Sequence, residues 1–244
     1  MIKPKGVYLK ADTNNVGEVA SLAASTGCGV EYLMDFSEID SIDFLEKYDI
    51  PVSVHSVFFD VNLASRNPRV VKESKIVLRS VIESCRRIKI DNLVIHHNYH
   101  PYQFSFKEGH FVQKFCEEFL DILPTDLNFS ITLENVFDTD SNVGMDIVEK
   151  IGRKNVGLCF DIGHFNIFSE EFIHSWLNRW EDKLFAFHLH NNYGKYDEHG
   201  ALPDGSFDIN EVKEYFNDRF LTIENKKLEE LKVSVEYLYK ILQK

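Results

Sequence analysis

The chain has 244 residues, of which 44% are hydrophobic, and its 39 acidic and 27 basic residues give a formal net charge of −12. The length suits one α/β barrel as well as two smaller domains, and an acidic chain repels phosphate backbones, which makes nucleic acid an unexpected partner. No apolar run has the length of a signal-peptide core or a membrane span, which predicts a soluble cytoplasmic protein without membrane contact.

The four cysteines, Cys28, Cys85, Cys116 and Cys159, are far apart in the chain and form no C-x-x-C pair. Isolated thiols of this kind behave as small buried hydrophobic side chains. We therefore expect neither disulfides nor a zinc knuckle.

Short apolar or β-branched runs alternate along the chain with helix-like stretches. The runs are Gly6–Lys10, Gly29–Met34, Val52–His55, Asn92–His96, Ser130–Glu134, Val156–Phe160, Phe185–His190 and Leu221–Glu224. The amphipathic stretches are clearest at Pro68–Lys89, Phe106–Leu123, Asp140–Ile151, Glu170–Asp182 and Lys226–Leu242. This alternation indicates a parallel sheet with helices outside. Eight units of about thirty residues predict one (β/α)8 TIM barrel, a single domain over residues 1–244.

The alternative architecture is a doubly wound open sheet, in which a glycine-rich phosphate-binding turn follows the first strand. No G-x-G-x-x-G follows the first predicted strand, and Gly27-Cys28-Gly29 precedes a strand instead of opening a helix. We interpret that cluster as a loop into the second strand.

Six of the predicted strands end in a polar residue that could bind a metal. These residues are His55, His96, Glu134, Asp161, His188 with His190, and Glu224. Any one of them alone is more often an ordinary hydrogen-bonded or solvated residue. In a parallel barrel, however, all strand C-termini open on one face, where active sites are built. The coincidence of six predicts a metal centre on that face.

The ligand types narrow the choice of metal. Imidazole and carboxylate without thiolate suit Zn²⁺, Mn²⁺, Co²⁺ or Fe²⁺, with Mg²⁺ also considered, and argue against a soft-metal site. Asp161-Ile-Gly-His164 places two ligands three residues apart in a predicted tight turn after strand six. Asp197-Glu-His199 places two more at i and i+2, on one side of a predicted extended loop.

Four segments carry a specific resemblance: Thr-Leu-Glu-Asn (132–135), Gly-Leu-Cys-Phe-Asp-Ile-Gly-His (157–164), His-Leu-His-Asn-Asn (188–192), and Asp-Glu-His with Asp-Gly-Ser-Phe-Asp (197–208). With them the chain, from its third strand onward, resembles the xylose-isomerase-like TIM-barrel superfamily. That superfamily groups sugar and sugar-phosphate isomerases and epimerases with endonuclease IV.

The resemblance implies a core metal held by Glu134, Asp161, His188 and Glu224. His190 stays an alternative to His188, because Asn191 stands where the family has an aspartate three positions after its histidine. The endonuclease IV branch adds ligands for a second or third ion. In this sequence they correspond to His55, His96, His164, Asp197 and His199.

The first functional hypothesis is an isomerase or epimerase of a small sugar or related hydroxy-carbonyl compound. The resemblance implies that Glu134 and Glu224 exchange the proton as base and acid, next to a carbonyl polarised by the metal. We expect His190, Asn135 and Lys195 to contact the substrate, and a homodimer stays open. Aromatic residues of the predicted rim loops could stack on sugar faces or simply pack the loops: Phe58, Phe59, Tyr99, Tyr102, Phe104, Phe165, Phe168, Tyr193 and Tyr196.

The second hypothesis is an endonuclease IV-like phosphodiesterase acting at abasic DNA. The complete ligand set and Ser141-Asn142-x-Gly144 favour it. Against it, the predicted rim holds only scattered cations among many acids, whereas DNA-binding surfaces cluster Lys and Arg. Those cations are Lys10, Arg66, Arg69, Lys107 and Lys195. A metabolite sensor that keeps its ligands ranks third, because candidate acids and bases are intact.

Overall fold

Eight parallel strands close into a barrel in the computed structural model, which describes residues 2–104 and 107–243. They are β1 (Gly6–Ala11), β2 (Gly29–Leu33), β3 (Val52–His55), β4 (Asn92–His96), β5 (Ser130–Glu134), β6 (Val156–Asp161), β7 (Leu184–Leu189) and β8 (Phe220–Ile223). Each strand pairs with its neighbours in the chain, and β1 closes the ring against β8, with Gly6 opposite Phe220. The TIM-barrel prediction is confirmed.

The helices surround this barrel. They are α1 (Val16–Thr26), α2 (Pro68–Arg87), α3 (Pro101–Phe104), α4 (Glu108–Ile122), α5 (Asn142–Ile151), α6 (Ile162–Phe168), α7 (Ile173–Trp180) and α8 (Leu228–Leu242). In the described part of the chain, only 3₁₀ turns connect β2 to β3 and β7 to β8. None of the helices there combines the length and hydrophobicity needed to cross a bilayer.

Three helices, α1, the one-turn α3 and α6, were not among the predicted stretches, and others have different bounds. The buried face of α1 consists of two valines and two alanines, so its contrast with the exposed face is weak. Helix α6 begins directly after β6, because the Asp161 side chain accepts a hydrogen bond from the backbone N–H of His164 at 2.6 Å. The predicted tight turn is therefore a helix N-terminus. Helix α7 is shorter than predicted, and the Phe106 start predicted for α4 lies outside the described residues.

Strand periodicity determines which side chains enter the barrel. Tyr8, Val94, Cys159, Ala186 and Phe220 form a buried cluster of their own, apart from the layer between strands and helices. Because side chains alternate between the two faces of a strand, the residue two positions further on has the same orientation. Steps of two from this cluster lead to Lys10, His96, Asp161, His188 and, over two steps, Glu224. The barrel interior thus ends in a polar layer at its C-terminal mouth.

Candidate metal centre

His188 lies at the centre of this polar layer and is fully buried. Its Nδ1 atom is 3.1 Å from Glu134 Oε2, 3.3 Å from Glu224 Oε1 and 3.9 Å from Asp161 Oδ2. Strands β5, β6, β7 and β8 therefore bring together the four residues that the resemblance implies for the core metal.

The donor atoms of this group fit a divalent metal better than they fit hydrogen bonding among themselves. Among the described residues, neither ring nitrogen of His188 nor Glu224 Oε1 forms a hydrogen bond, although all are buried. Glu134, Asp161 and His188 offer three ligand atoms within 4.8 Å of one another. Buried polar atoms without partners are costly, and a metal ion held by imidazole and carboxylate would satisfy them.

A second group shares Glu134. His55 Nε2 and His96 Nε2 lie 3.2 and 3.1 Å from Glu134 Oε2, and all three side chains are buried. The ring of His55 is fixed from its other side, where Nδ1 lies 2.8 Å from the Ser56 carbonyl oxygen. An Nδ1–H donating to that oxygen leaves Nε2 free as a ligand.

A third group lies on the other side of Asp161. His199 Nε2 is 2.9 Å and His164 Nε2 is 3.6 Å from Asp197 Oδ2, so the three residues share one site. The prediction that Asp197 and His199 lie on one side of their loop agrees with this geometry. The loop is not extended throughout, however, because His199 has a left-handed backbone with φ of 56°. The His199 ring is held by its Nδ1 atom, 2.8 Å from the Glu224 carbonyl oxygen.

His190 lies between these groups without being equivalent to His188. Its Nε2 atom is 3.1 Å from both carboxylate oxygens of Asp161, and its ring stacks on His199 with centroids 3.9 Å apart. His190 is therefore placed to donate a hydrogen bond that orients Asp161. His188 instead lies close to several carboxylates at once, as a metal ligand would. The Asp161-Ile-Gly-His164 motif requires a glycine at position 163, because any Cβ there would overlap the His190 ring.

The cluster contains more carboxylates than positively charged side chains. Five carboxylates converge on it, whereas Lys10, whose Nζ lies 3.2 Å from Glu224 Oε2, is the one lysine or arginine within salt-bridge distance of these acids among the described residues. With neutral histidines the cluster therefore carries a net charge of −4, which two divalent ions would balance. The carboxylates are Glu31, Glu134, Asp161, Asp197 and Glu224.

The pKa values respond to the same excess of acid. Burial by itself lowers the pKa of His188, but Glu224, Glu134 and Glu31 raise it well above its ordinary value. Burial likewise opposes protonation of His164, and Asp161 and Asp197 raise its pKa well above the ordinary value. Burial raises the pKa of Glu134, but His188 and His96 hold it well below its usual range. Protons therefore occupy His188 and His164 when no metal is bound.

This gives a prediction about metal binding. A metal ligand must be unprotonated, so binding of zinc to metal-free protein at pH 7 is expected to release about two protons, from His188 and His164. Calorimetric titration in two buffers of different ionisation enthalpy measures this number. His96 is expected to contribute none, because burial lowers its pKa to about 4. Binding without proton release would contradict the assignment of His188 and His164 as ligands.

Glu31 is a member of the site that the sequence reasoning missed. It is buried on β2, its Oε2 accepts hydrogen bonds from Ser53 Oγ at 2.8 Å and Thr222 Oγ1 at 2.9 Å, and its Oε1 lies 3.0 Å from His188 Nε2. The two atoms form no hydrogen bond, but the carboxylate charge beside Nε2 favours the tautomer protonated there, which leaves Nδ1 of His188 free to bind metal. The signal in the sequence was a single acid inside the apolar run Gly-Val-Glu-Tyr-Leu.

We predict that Glu31→Gln weakens metal binding about 10- to 100-fold, because the carboxylate that orients His188 is lost. Competition with a chelating dye measures the affinity directly, without reference to turnover. Glu149→Gln, an exposed glutamate on α5, is the matched control and should bind metal normally. Unchanged affinity in Glu31→Gln would show that His188 is oriented without this contact.

A cavity of about 700 Å³ opens above the metal centre, and Glu134, Glu224, His55, His96 and His164 line its floor. Our three predicted substrate contacts lie outside its lining. Asn135 is buried and pairs its amide with the backbone N–H and C=O of Asp161, at 2.8 and 3.1 Å. His190 is buried behind Asp161, and Lys195 is exposed in the loop after β7. Substrate contact by these three residues stays a prediction.

Known proteins resemble this chain in sequence and in fold. A family model described as xylose isomerase-like TIM barrel matches residues 23–240. An uncharacterized protein of Methanocaldococcus jannaschii is 29% identical over 229 residues, which cover 88% of this chain and 78% of that protein.

Solved structures share the fold over nearly their whole length. A D-tagatose 3-epimerase-like protein has a TM-score of 0.80 and 22% identity, with 98% of this chain and 97% of that chain covered. A Thermus thermophilus protein whose crystals were soaked with ZnCl₂ has a TM-score of 0.80 and 20% identity, with 97% of each chain covered. The D-allulose 3-epimerase from Methylomonas sp. in complex with D-allulose has a TM-score of 0.71 and 17% identity, with 100% and 99% covered.

Proposed function

Because the chain belongs to the xylose isomerase-like TIM barrel family, we propose that it is a divalent-metal-dependent isomerase or epimerase of a small sugar or related hydroxy-carbonyl compound. The observation that carries the proposal is the pair Glu134 and Glu224. Their carboxylates come from different strands, meet at one nitrogen of His188 at 3.1 and 3.3 Å, and both line the floor of the cavity.

In this proposal Glu134, Asp161, His188 and Glu224 hold the principal ion, and the histidine groups around Glu134 and Asp197 hold further ions or the substrate. A bound divalent ion polarises a carbonyl and so lowers the cost of removing the neighbouring proton. Zn²⁺, Mn²⁺, Co²⁺ and Mg²⁺ are the candidates, since no thiolate is among the ligands.

The proton is exchanged by the two glutamates. Burial raises the pKa of Glu224, but His188 and Lys10 hold it below its ordinary value, so it is a carboxylate at neutral pH. Glu134 is also ionised, so either residue can accept the proton next to the carbonyl. To complete the exchange, the first glutamate releases this proton to solvent, and its partner takes up a proton from solvent and delivers it to the opposite face of the same carbon. Sugar epimerases among the similar structures, such as the D-allulose 3-epimerase, support a sugar as the substrate.

The test is solvent exchange. Metal-loaded protein is incubated in D₂O with a panel of ketoses, and deuterium in the recovered sugar is measured by NMR. Incorporation at the carbon next to the carbonyl, dependent on added metal, is the expected result. A metal-free protein that is equally active would overturn the proposal.

A second candidate is an endonuclease IV-like phosphodiesterase at abasic sites in DNA. It is favoured by the arrangement of the nine ligand residues in three groups. The first two groups share Glu134, and His164 Nδ1 of the third lies 3.2 Å from Glu134 Oε1 and 3.4 Å from Asp161 Oδ1. It is disfavoured by the cavity wall, where Lys10 is the one lysine or arginine among the described lining residues. Incision of a duplex carrying one abasic site, assayed beside the ketose panel, decides between the two.

A further inference from the structure

The cavity above the metal centre is large for one sugar ring. At roughly 30 Å³ per water molecule, a volume of about 700 Å³ would hold about twenty waters, more than the non-hydrogen atoms of a hexose. It also lies in the range of pockets that bind drug-sized ligands. The cavity therefore has room for a substrate that extends beyond the metal-binding end.

The outer part of the cavity is lined by aromatic rings. Phe58 and Phe59 from the loop after β3 pack with centroids 4.3 Å apart, and Phe137 from the loop after β5 packs on Phe168 at 5.2 Å. Phe59 is 71% exposed and Phe137 is 38% exposed. Exposed rings at a cavity mouth offer stacking surfaces for the apolar face of a sugar or aryl ring.

One of these rings, Phe58, and its loop are held against the metal centre. The Phe58 ring packs on His96 with centroids 4.5 Å apart, so the aromatic surface begins at the proposed ligands and continues outward. Asn98 holds the loop, because its Nδ2 donates to the carbonyl oxygens of Phe58 at 3.2 Å and Val61 at 2.6 Å. A wall held in this way is pre-organised for a ligand.

The charge of the cavity argues against a phosphorylated substrate. Lys10 is the one lysine or arginine among the described lining residues, and Glu224 already engages it. Asp60 and Asp197 also line the cavity, while the exposed Arg66 and Arg69 are not among the lining residues. Phosphate recognition relies on Arg, Lys or clustered backbone N–H groups.

We propose that the natural substrate is an uncharged, two-ring glycoside. Its hydroxy-carbonyl sugar binds at the metal centre, and its second ring lies against Phe59 and Phe137. The position of the first ring rests on the proposed function. The position of the second ring rests on the aromatic residues that line the outer part of the cavity.

The test uses ligands that differ only in what the same ketose carries. Calorimetry on zinc-loaded protein compares D-fructose with D-fructose 6-phosphate, isomaltulose and lactulose, the last two bearing a second sugar ring on O6 and O4. At least one disaccharide is expected to bind about tenfold more tightly than fructose, which corresponds to about 1.4 kcal/mol, and the phosphate is expected to bind more weakly. Disaccharides no tighter than fructose, or a tighter phosphate, overturn the inference.

Two variants test whether the tighter binding of disaccharides depends on the aromatic rings that line the cavity. Phe59→Ala and Phe137→Ala are expected to remove most of the difference between disaccharide and fructose. Phe172→Ala is the matched control, since Phe172 is 87% exposed and lies outside the cavity lining, and it should keep the full difference. A difference that persists in both wall variants overturns the inference.

Binding and chemistry fail separately in this design. Tight, Phe59-dependent disaccharide binding without deuterium exchange would uphold the two-ring site and overturn the proposed function. Deuterium exchange into fructose with no preference for disaccharides would uphold the proposed function and overturn the two-ring site.

Discussion

Replacing Glu134 by Gln is expected to lower metal-dependent deuterium exchange at least about 10³-fold, because a general base alone contributes about 10²–10⁴ and Glu134 also holds metal. Its two oxygens lie 3.1–3.2 Å from ring nitrogens of His55, His96, His164 and His188. The neutral amide keeps the shape of the side chain but removes the charge that these four imidazoles surround.

The variant must be shown to fold, since Glu134 is buried. Circular dichroism and thermal unfolding of Glu134→Gln are compared with those of Glu149→Gln, the exposed control. Glu224→Gln is expected to cause a loss of similar size. The double variant should be about as slow as either single variant, because residues that act as a unit are not additive. A Glu134→Gln protein that keeps more than a tenth of its activity would exclude Glu134 as the base.

Removing the metal is expected to lower the melting temperature as well as the activity. A ligand at about 1,000 times its Kd stabilises the folded state by about 4.1 kcal/mol. For a chain of this size each kcal/mol shifts the melting temperature by roughly 2–4 °C, so one saturated site corresponds to a shift of roughly 8–16 °C. Scanning calorimetry of chelator-treated protein, with and without each candidate ion, measures the shift.

The shift should also depend on pH. The pKa values of His188 and His164 are raised in the folded metal-free protein, so they add stability below their unfolded pKa, and this stability is lost as pH rises through the folded value. Burial raises the pKa of Asp161, but His164 and His190 bring it below its ordinary value, so its contribution is lost as pH falls. Metal replaces the protons on the histidines, so the metal-induced shift should grow as pH rises and level off once pH exceeds their raised folded pKa values.

Asp161→Asn is the control for this experiment, because it removes a carboxylate near both the central and the third ligand groups. Most of the metal-induced shift should disappear in this variant. A shift that does not change with pH, or that survives Asp161→Asn, would mean that the ion binds elsewhere.

The sequence by itself determined the barrel and the composition of its mouth. Strands β3, β4 and β5 have the predicted bounds, and the others differ by one residue at one or both ends, because buried parallel strands are continuous apolar runs that polar residues terminate. Since all such ends lie on one face of a parallel barrel, the strand-end acids and histidines had to lie near one another.

Only the tertiary structure decided how these residues are grouped. Distances across the mouth depend on strand stagger and ring closure, which bring Glu31 of β2 within 3.0 Å of His188 of β7, although the two are far apart in sequence. The sequence did not reveal the loop geometry either. The left-handed backbone of His199 directs its ring at Asp197. The side-chain amide of Asn135 forms its hydrogen bonds with the backbone of Asp161. Spacing in the sequence identifies candidate ligands, whereas closure of the barrel selects their partners.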